Sequence, residues 1–94
     1  MAEVQIELQA RDPARNRLRS WRVEAGQDLF GTWTVHVRYG RIGRPGRLLV
    51  RSFPDEAAAR AHIRAGLARR ASAPRRIGVA YQAVSETGYV TPHV

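Results

Sequence analysis

The chain encodes an α+β domain, an antiparallel β-sheet of about five to six strands with a single α-helix packed on one face. Three observations predict it. Apolar residues alternate with polar ones in several short runs, the period of a strand with one buried face. A single alanine-rich stretch after residue 54 instead carries apolar residues at i, i+4 and i+8, the spacing of a helix. The strand-like runs are segregated ahead of that helix, with one or two more behind it.

Taken in order, Val4, Ile6 and Leu8 alternate with polar neighbours and predict the first strand, ended by a turn at Asp12-Pro13. Arg19 to Glu24 alternates again, with Trp21 and Val23 on the inner side, before Gly26-Gln27-Asp28 and Gly31 punctuate a second connection. Trp33, Val35, Val37 and Tyr39 give the clearest alternation in the chain and a central strand; Thr34, His36 and Arg38 occupy its other face. Strand phase therefore assigns Trp21 and Trp33 to the core. Arg44-Pro45-Gly46-Arg47 suits a type II turn, since proline presets the first central position and glycine supplies a positive φ at the second. Leu48 to Phe53 returns as a strand.

From Pro54 the segment PDEAAARAHIRAGLARRA opens with two acids and closes with Arg69 and Arg70, the polarity that a helix dipole favours. Ala59, Ile63 and Leu67 form its narrow apolar stripe, with His62 placed opposite the stripe. After Ser72-Ala73-Pro74, the alternation of Ile77, Val79, Tyr81 and Ala83 predicts a last strand. Residues 85–94 carry turn residues and little apolar content, suiting an edge strand or a frayed tail. The chain is read as one domain over 1–94 with its core at about 4–84, and 94 residues suffice to bury somewhat over ~60% of the extended chain's surface.

The formal net charge is +8, and all sixteen basic residues are arginine. Residues 1–28 hold five arginines and five acids, whereas residues 29–94 hold eleven arginines and three acids. Charge segregated in this way creates a positive field over part of the surface, whose commonest partners are nucleic acid and anionic membrane. No apolar run approaches the ~20 residues that cross a bilayer, and no membrane partner is expected. The chain has no cysteine, and its start lacks the basic, then continuously apolar pattern of a secretory signal; a cytoplasmic location is the expectation.

Candidate chemistry is sparse. His36, His62 and His93 are scattered, and nothing resembles a metal-ligand spacing, so no metal and no cofactor are expected. The serines lack a nucleophile-elbow context, and the acids do not pair toward one cleft, so the expected protein is not an enzyme. Gly40, Gly43 and Gly46 are spaced GxxGxxG and lead into a strand, whereas a phosphate-binding glycine loop must open a helix whose free N–H groups face the phosphate.

What stands out is the basic segment VRYGRIGRPGR, residues 37–47. Arg38, Arg41, Arg44, Arg47 and Arg51 recur every three or four residues, with Tyr39 among them. Guanidinium forks fit phosphate oxygens, and an aromatic ring stacks on a sugar or base. The same residues also suit a solvated hairpin whose glycines shape the turn. Tyr39 has two readings as well: in phase with Trp33 its ring belongs to the core, unless Gly40 marks a bulge that turns it outward.

The order DPARNRLRSWRVE, QDLFGTWTVHVRYGRIGRPG, FPDEAAARAHI and RRIGVAYQAV resembles, over about residues 4–84, the WGR domain in its small free-standing bacterial form. Tyr39-Gly40-Arg41-Ile42-Gly43 occupies the family's signature tripeptide and the apolar-glycine pair after it. Trp33 stands at the family's preceding tryptophan, and Tyr81 at the tyrosine after its basic run. The resemblance implies an antiparallel sheet with one helix and a nucleic-acid role, with the motif aromatic near a terminal sugar and the motif arginine and its basic neighbours on the backbone.

The leading expectation is a non-enzymatic nucleic-acid-binding module that meets DNA, or RNA, at its backbone or at duplex ends through a basic hairpin. Arg41 is its first phosphate contact, then Arg38, Arg44 and Arg47, with Tyr39 and Gly40 at the stacking position and Arg75 and Arg76 behind the helix. The alternative is a protein-interaction module docking on an acidic partner, with the arginines steering encounter, or an accessory module of a DNA-repair or other multi-component system.

Overall fold

The computed structural model describes residues 3–87. In chain order, the elements are β1 (Val4–Asp12), one 3-10 turn (Pro13–Arg15), β2 (Arg17–Gln27), β3 (Trp33–Arg41), β4 (Arg47–Phe53), α1 (Glu56–Ala71), the short α2 (Ala73–Ile77) and β5 (Gln82–Thr87). The strands form one antiparallel five-stranded sheet in the order β4-β3-β2-β1-β5, and α1 packs on one face of it, the α+β class that the sequence predicts.

Register explains which residues share the helix-side face. Leu8 pairs with Trp21, Trp21 with Tyr39, Val23 with Val37, and Ala25 with Val35, so the apolar phase of each strand adds to one layer. Val4, Ile6, Leu8, Trp21, Val23, Trp33 and Val35 are buried there, closed from above by Ala59 and Ile63 of α1. Both tryptophans fall in the core, as strand phase requires. Gly66 lets the helix settle onto the sheet, since a Cβ at that position would stand 2.8 Å from the Trp21 ring. At the helix start, Asp55 accepts a hydrogen bond from Ala58 N at 2.8 Å and satisfies one of the free N–H groups of the first turn.

Three expectations are corrected. The segment after α1 is not a strand from Ile77: Pro74 sits in the first turn of α2, where its missing N–H costs nothing, and Gly78 ends that helix at φ +78°. Strand pairing resumes only at Gln82, where β5 joins β1 at the edge opposite β4. The hydrogen-bonded turn of the β3–β4 hairpin is Arg41–Arg44, with Arg44 N donating to Arg41 O at 3.1 Å and Gly43 at φ +83°, rather than Arg44–Arg47. Gly46 serves instead to bring two backbones together, because a Cβ there would stand 2.9 Å from the Tyr39 carbonyl carbon and overlap its oxygen. Finally, His62 is not opposite the buried stripe of α1; its ring lies 5.2 Å from that of Phe53, on the β4 side. Residues 85–87 of the tail form part of the β5 edge, and 88–94 lie outside the described residues. Among the described residues no helix is long and apolar enough to cross a membrane.

Candidate nucleic-acid interface

Antiparallel register places β3's C-terminal end, β2's N-terminal end and the C-terminal end of α1 at one end of the sheet. Arg19 of β2 lies opposite Arg41 of β3, and Ser20 opposite Gly40. Arg69 and Arg70 arrive from the last turn of α1, and Arg76 from α2. Arg19, Arg69, Arg70 and Arg76 together with Tyr39 and Tyr81 wall a pocket of 220 Å³, and among the described residues no carboxylate lines it. The ion pairs among the described residues involve Arg15, Arg22 and Arg60, none of which belongs to this group.

The cluster is built rather than incidental. Arg70 lies 5.1 Å from the centre of the Trp21 ring, a cation–π contact that fixes its guanidinium over the core edge. Burial lowers its pKa from the ordinary arginine value; Tyr81 opposes that shift, and like charge from Arg69 and Arg76 adds to it. The group stays protonated at neutral pH regardless, so the consequence is an electrostatic demand for an anion. Arg76 donates to Arg69 O at 2.7 Å and to Ser72 Oγ at 2.9 Å, capping the end of α1 while holding its guanidinium at the pocket wall.

Tyr39 is half-buried and packs against the core, in phase with Val37 and in register with Trp21. Gly40 therefore does not reverse its ring to the other face. The φ of +155° at Gly40 serves a close approach, since a Cβ there would stand 2.9 Å from Gly46 Cα. Tyr39 nonetheless lines two adjoining hollows, so part of its ring is reachable from the helix side.

The sequence-selected residues divide accordingly. Tyr39, Gly40 and Arg76 line the pocket. Arg41 flanks it, with its guanidinium donating to Asn16 Oδ1 at 2.8 Å, and Arg47 sits opposite Tyr39 on the neighbouring strand. Arg44 is exposed at the hairpin tip, and Arg75 is exposed on α2. Arg38 belongs to the opposite face of the sheet and donates to Pro45 O at 2.9 Å, so it braces the hairpin. Sequence reasoning did not single out Arg19, Arg69 and Arg70, which line the pocket. The two helix arginines are explained locally by the dipole, and only the cross-strand register brings Arg19 to them.

A family model for the WGR domain matches residues 4–72. The chain belongs to the WGR domain family. WGR domains are in general a nucleic-acid-binding type of module. No curated protein matches this chain. In this WGR domain Tyr39, Gly40 and Arg41 lie within the matched segment, whereas Arg76 and Tyr81, which complete the pocket, lie beyond it.

Proposed function

We propose that this WGR domain is a non-enzymatic module that binds the phosphate backbone of DNA, along the duplex or at its ends, with the helix-side arginine pocket as its main grip. The observation that carries this reading is the convergence of Arg19, Arg69, Arg70 and Arg76 on Tyr39 and Tyr81 in a pocket that no carboxylate of the described residues lines. Guanidinium groups present several N–H donors in a fixed fork that matches phosphate oxygens, and a tyrosine edge beside them suits the sugar or base attached to that phosphate. Arg41, Arg44 and Arg47 extend the positive surface along the hairpin, where adjacent phosphates would lie. Arg38 and Arg75 contribute charge at a distance.

The test is a binding titration of a labelled short duplex across salt. Engagement of three or four phosphates predicts that log K falls with log salt with a slope of about −3, roughly 0.9 for each phosphate neutralised. No binding to duplex or single strand at about 50 mM salt would exclude the reading, because non-specific phosphate contacts are strongest there.

A further inference from the structure

At the end of the sheet opposite the arginine pocket, two large apolar side chains stand in solvent. Leu29 and Phe30, in the β2–β3 connection, are 99% and 92% exposed. Single exposed apolar residues are ordinary, but two adjacent large ones on an ordered loop are not. The loop is held by several hydrogen bonds: Asp28 Oδ1 accepts from Phe30 N at 2.8 Å and Thr32 N at 2.9 Å, Asp28 N donates to Thr32 O at 2.8 Å, and Gln27 Nε2 donates to Gly31 O at 3.2 Å. The backbone is thus fixed while the apolar side chains point to solvent, a knob that loses little conformational freedom when it docks. Its surroundings are acidic. Glu3 accepts from Gln27 N, Asp28 lies in the loop itself, and Asp55 caps α1 just after Phe53, which pairs with Trp33 at this same end; Glu56 beside it is already paired with Arg60. Carboxylates there disfavour nucleic acid and anionic lipid as the knob's partner.

The same chain carries a receptor of matching chemistry. Between α1 and the β3–β4 hairpin lies a cleft of 460 Å³, a size that accepts a large apolar side chain. Val35, Val37 and Leu49 form part of its apolar lining; Arg51, Arg69 and Arg70 supply its charge, and among the described residues no carboxylate lines it. The near-complete exposure of Leu29 and Phe30 shows that they do not fill their own cleft. We infer that the Leu29–Phe30 knob of one copy seats in the α1–β4 cleft of a second copy, its flanking carboxylates facing Arg51 and Arg69, so that the protein associates head to tail. An interface of this kind uses different surfaces on the two partners and leaves a free knob and a free cleft at the ends, so it extends into chains. The contact of one two-residue knob is small, which places the association in the weak, transient class.

Sedimentation velocity of the full chain, without DNA, tests this. The weight-average sedimentation coefficient of the wild type rises with concentration up to about 1 mM, and rises less at high salt, where the charge pairing is screened. Leu29→Ser/Phe30→Ser removes the knob, and Leu49→Trp fills the cleft at an exposed edge-strand position; each variant alone stays monomeric. Mixed in equal amounts they form a heterodimer and stop there, because one retains the cleft and the other the knob. Ala65→Trp, at an exposed helix position lining the cleft, serves as a second cleft-filled variant, with thermal melts confirming that each variant is folded. A wild type monomeric throughout, self-association that survives Leu29→Ser/Phe30→Ser, or a mixture that stays monomeric would each overturn the inference. The last outcome with an associating wild type assigns the contact to a symmetric interface instead.

Discussion

Gly46→Ala tests why this hairpin needs glycine at a position where sequence alone suggested only turn chemistry. Gly46 has φ +68°, a left-handed backbone that costs an alanine about 1–2 kcal/mol. The added Cβ also overlaps the Tyr39 carbonyl oxygen, stands 2.9 Å from its carbon and reaches 3.4 Å from Gly40 Cα. Those neighbours are backbone held in the β2–β3 ladder, so relief requires the hairpin to move, at about 1–3 kcal/mol by analogy with overpacked cores. The lower entropy of alanine in the unfolded chain returns about 0.4–1 kcal/mol. The net is a destabilisation of roughly 1–5 kcal/mol. For a domain of this size about 1 kcal/mol lowers Tm by 4–8 °C, so a fall of at least about 4 °C is expected in a calorimetric or circular-dichroism melt. A Tm unchanged within ~1 °C would show that the two strands do not approach as closely as Gly40 and Gly46 permit here.

Other substitutions probe the rest of the chain. Ile63→Ala removes a fully buried side chain at the centre of the helix–sheet contact and lowers stability by about 2–5 kcal/mol in urea unfolding. Gly66→Ala gains about 1 kcal/mol of helix propensity but sets a methyl 2.8 Å from the buried Trp21 ring; the clash wins, and the melt moves down rather than up. Asp55→Ala removes the cap on Ala58 N and costs about 0.5–2 kcal/mol, measurable in the same unfolding experiment. Tyr39→Phe keeps the ring against the core and retains DNA affinity within a few fold, whereas Tyr39→Ala weakens binding by about 1–3 kcal/mol in anisotropy titrations, the range of a base or sugar stacking contact.

Most of the fold is local and was legible locally. The alternations around Trp21 and from Trp33 to Tyr39 place those strands because a period of two with one buried face is written into each segment by itself, and α1 announces itself through alanine content, its acidic start and its Ala59–Ile63–Leu67 stripe. Ile77, Val79 and Tyr81 also alternate, yet Pro74 and Gly78 bracket a helical turn there, because punctuation by proline and glycine overrode a short period-two pattern. The candidate site was only half legible. Tyr39, Gly40 and Arg76 reach the pocket, but Arg38 alternates to the other face and Arg19 joins through a register that no local pattern contains. Arg69 and Arg70 are visible in sequence as a favourable helix end; that they also face Tyr39 and Tyr81 follows only from where α1 crosses the sheet.

The most direct test of the helix-side grip compares salt slopes among three variants that leave the core intact. Arg19→Ala and Arg69→Ala each remove an exposed pocket cation, while Arg22→Ala removes an arginine of the opposite face, paired with Glu24 at 2.9 Å. Each pocket variant should weaken binding of a short duplex and flatten the log K against log salt slope by about 0.9, with Arg22→Ala close to wild type. Equal slopes for all four proteins, or a loss confined to Arg22→Ala, would contradict the assignment of the phosphate grip to the Arg19–Arg69–Arg70–Arg76 pocket.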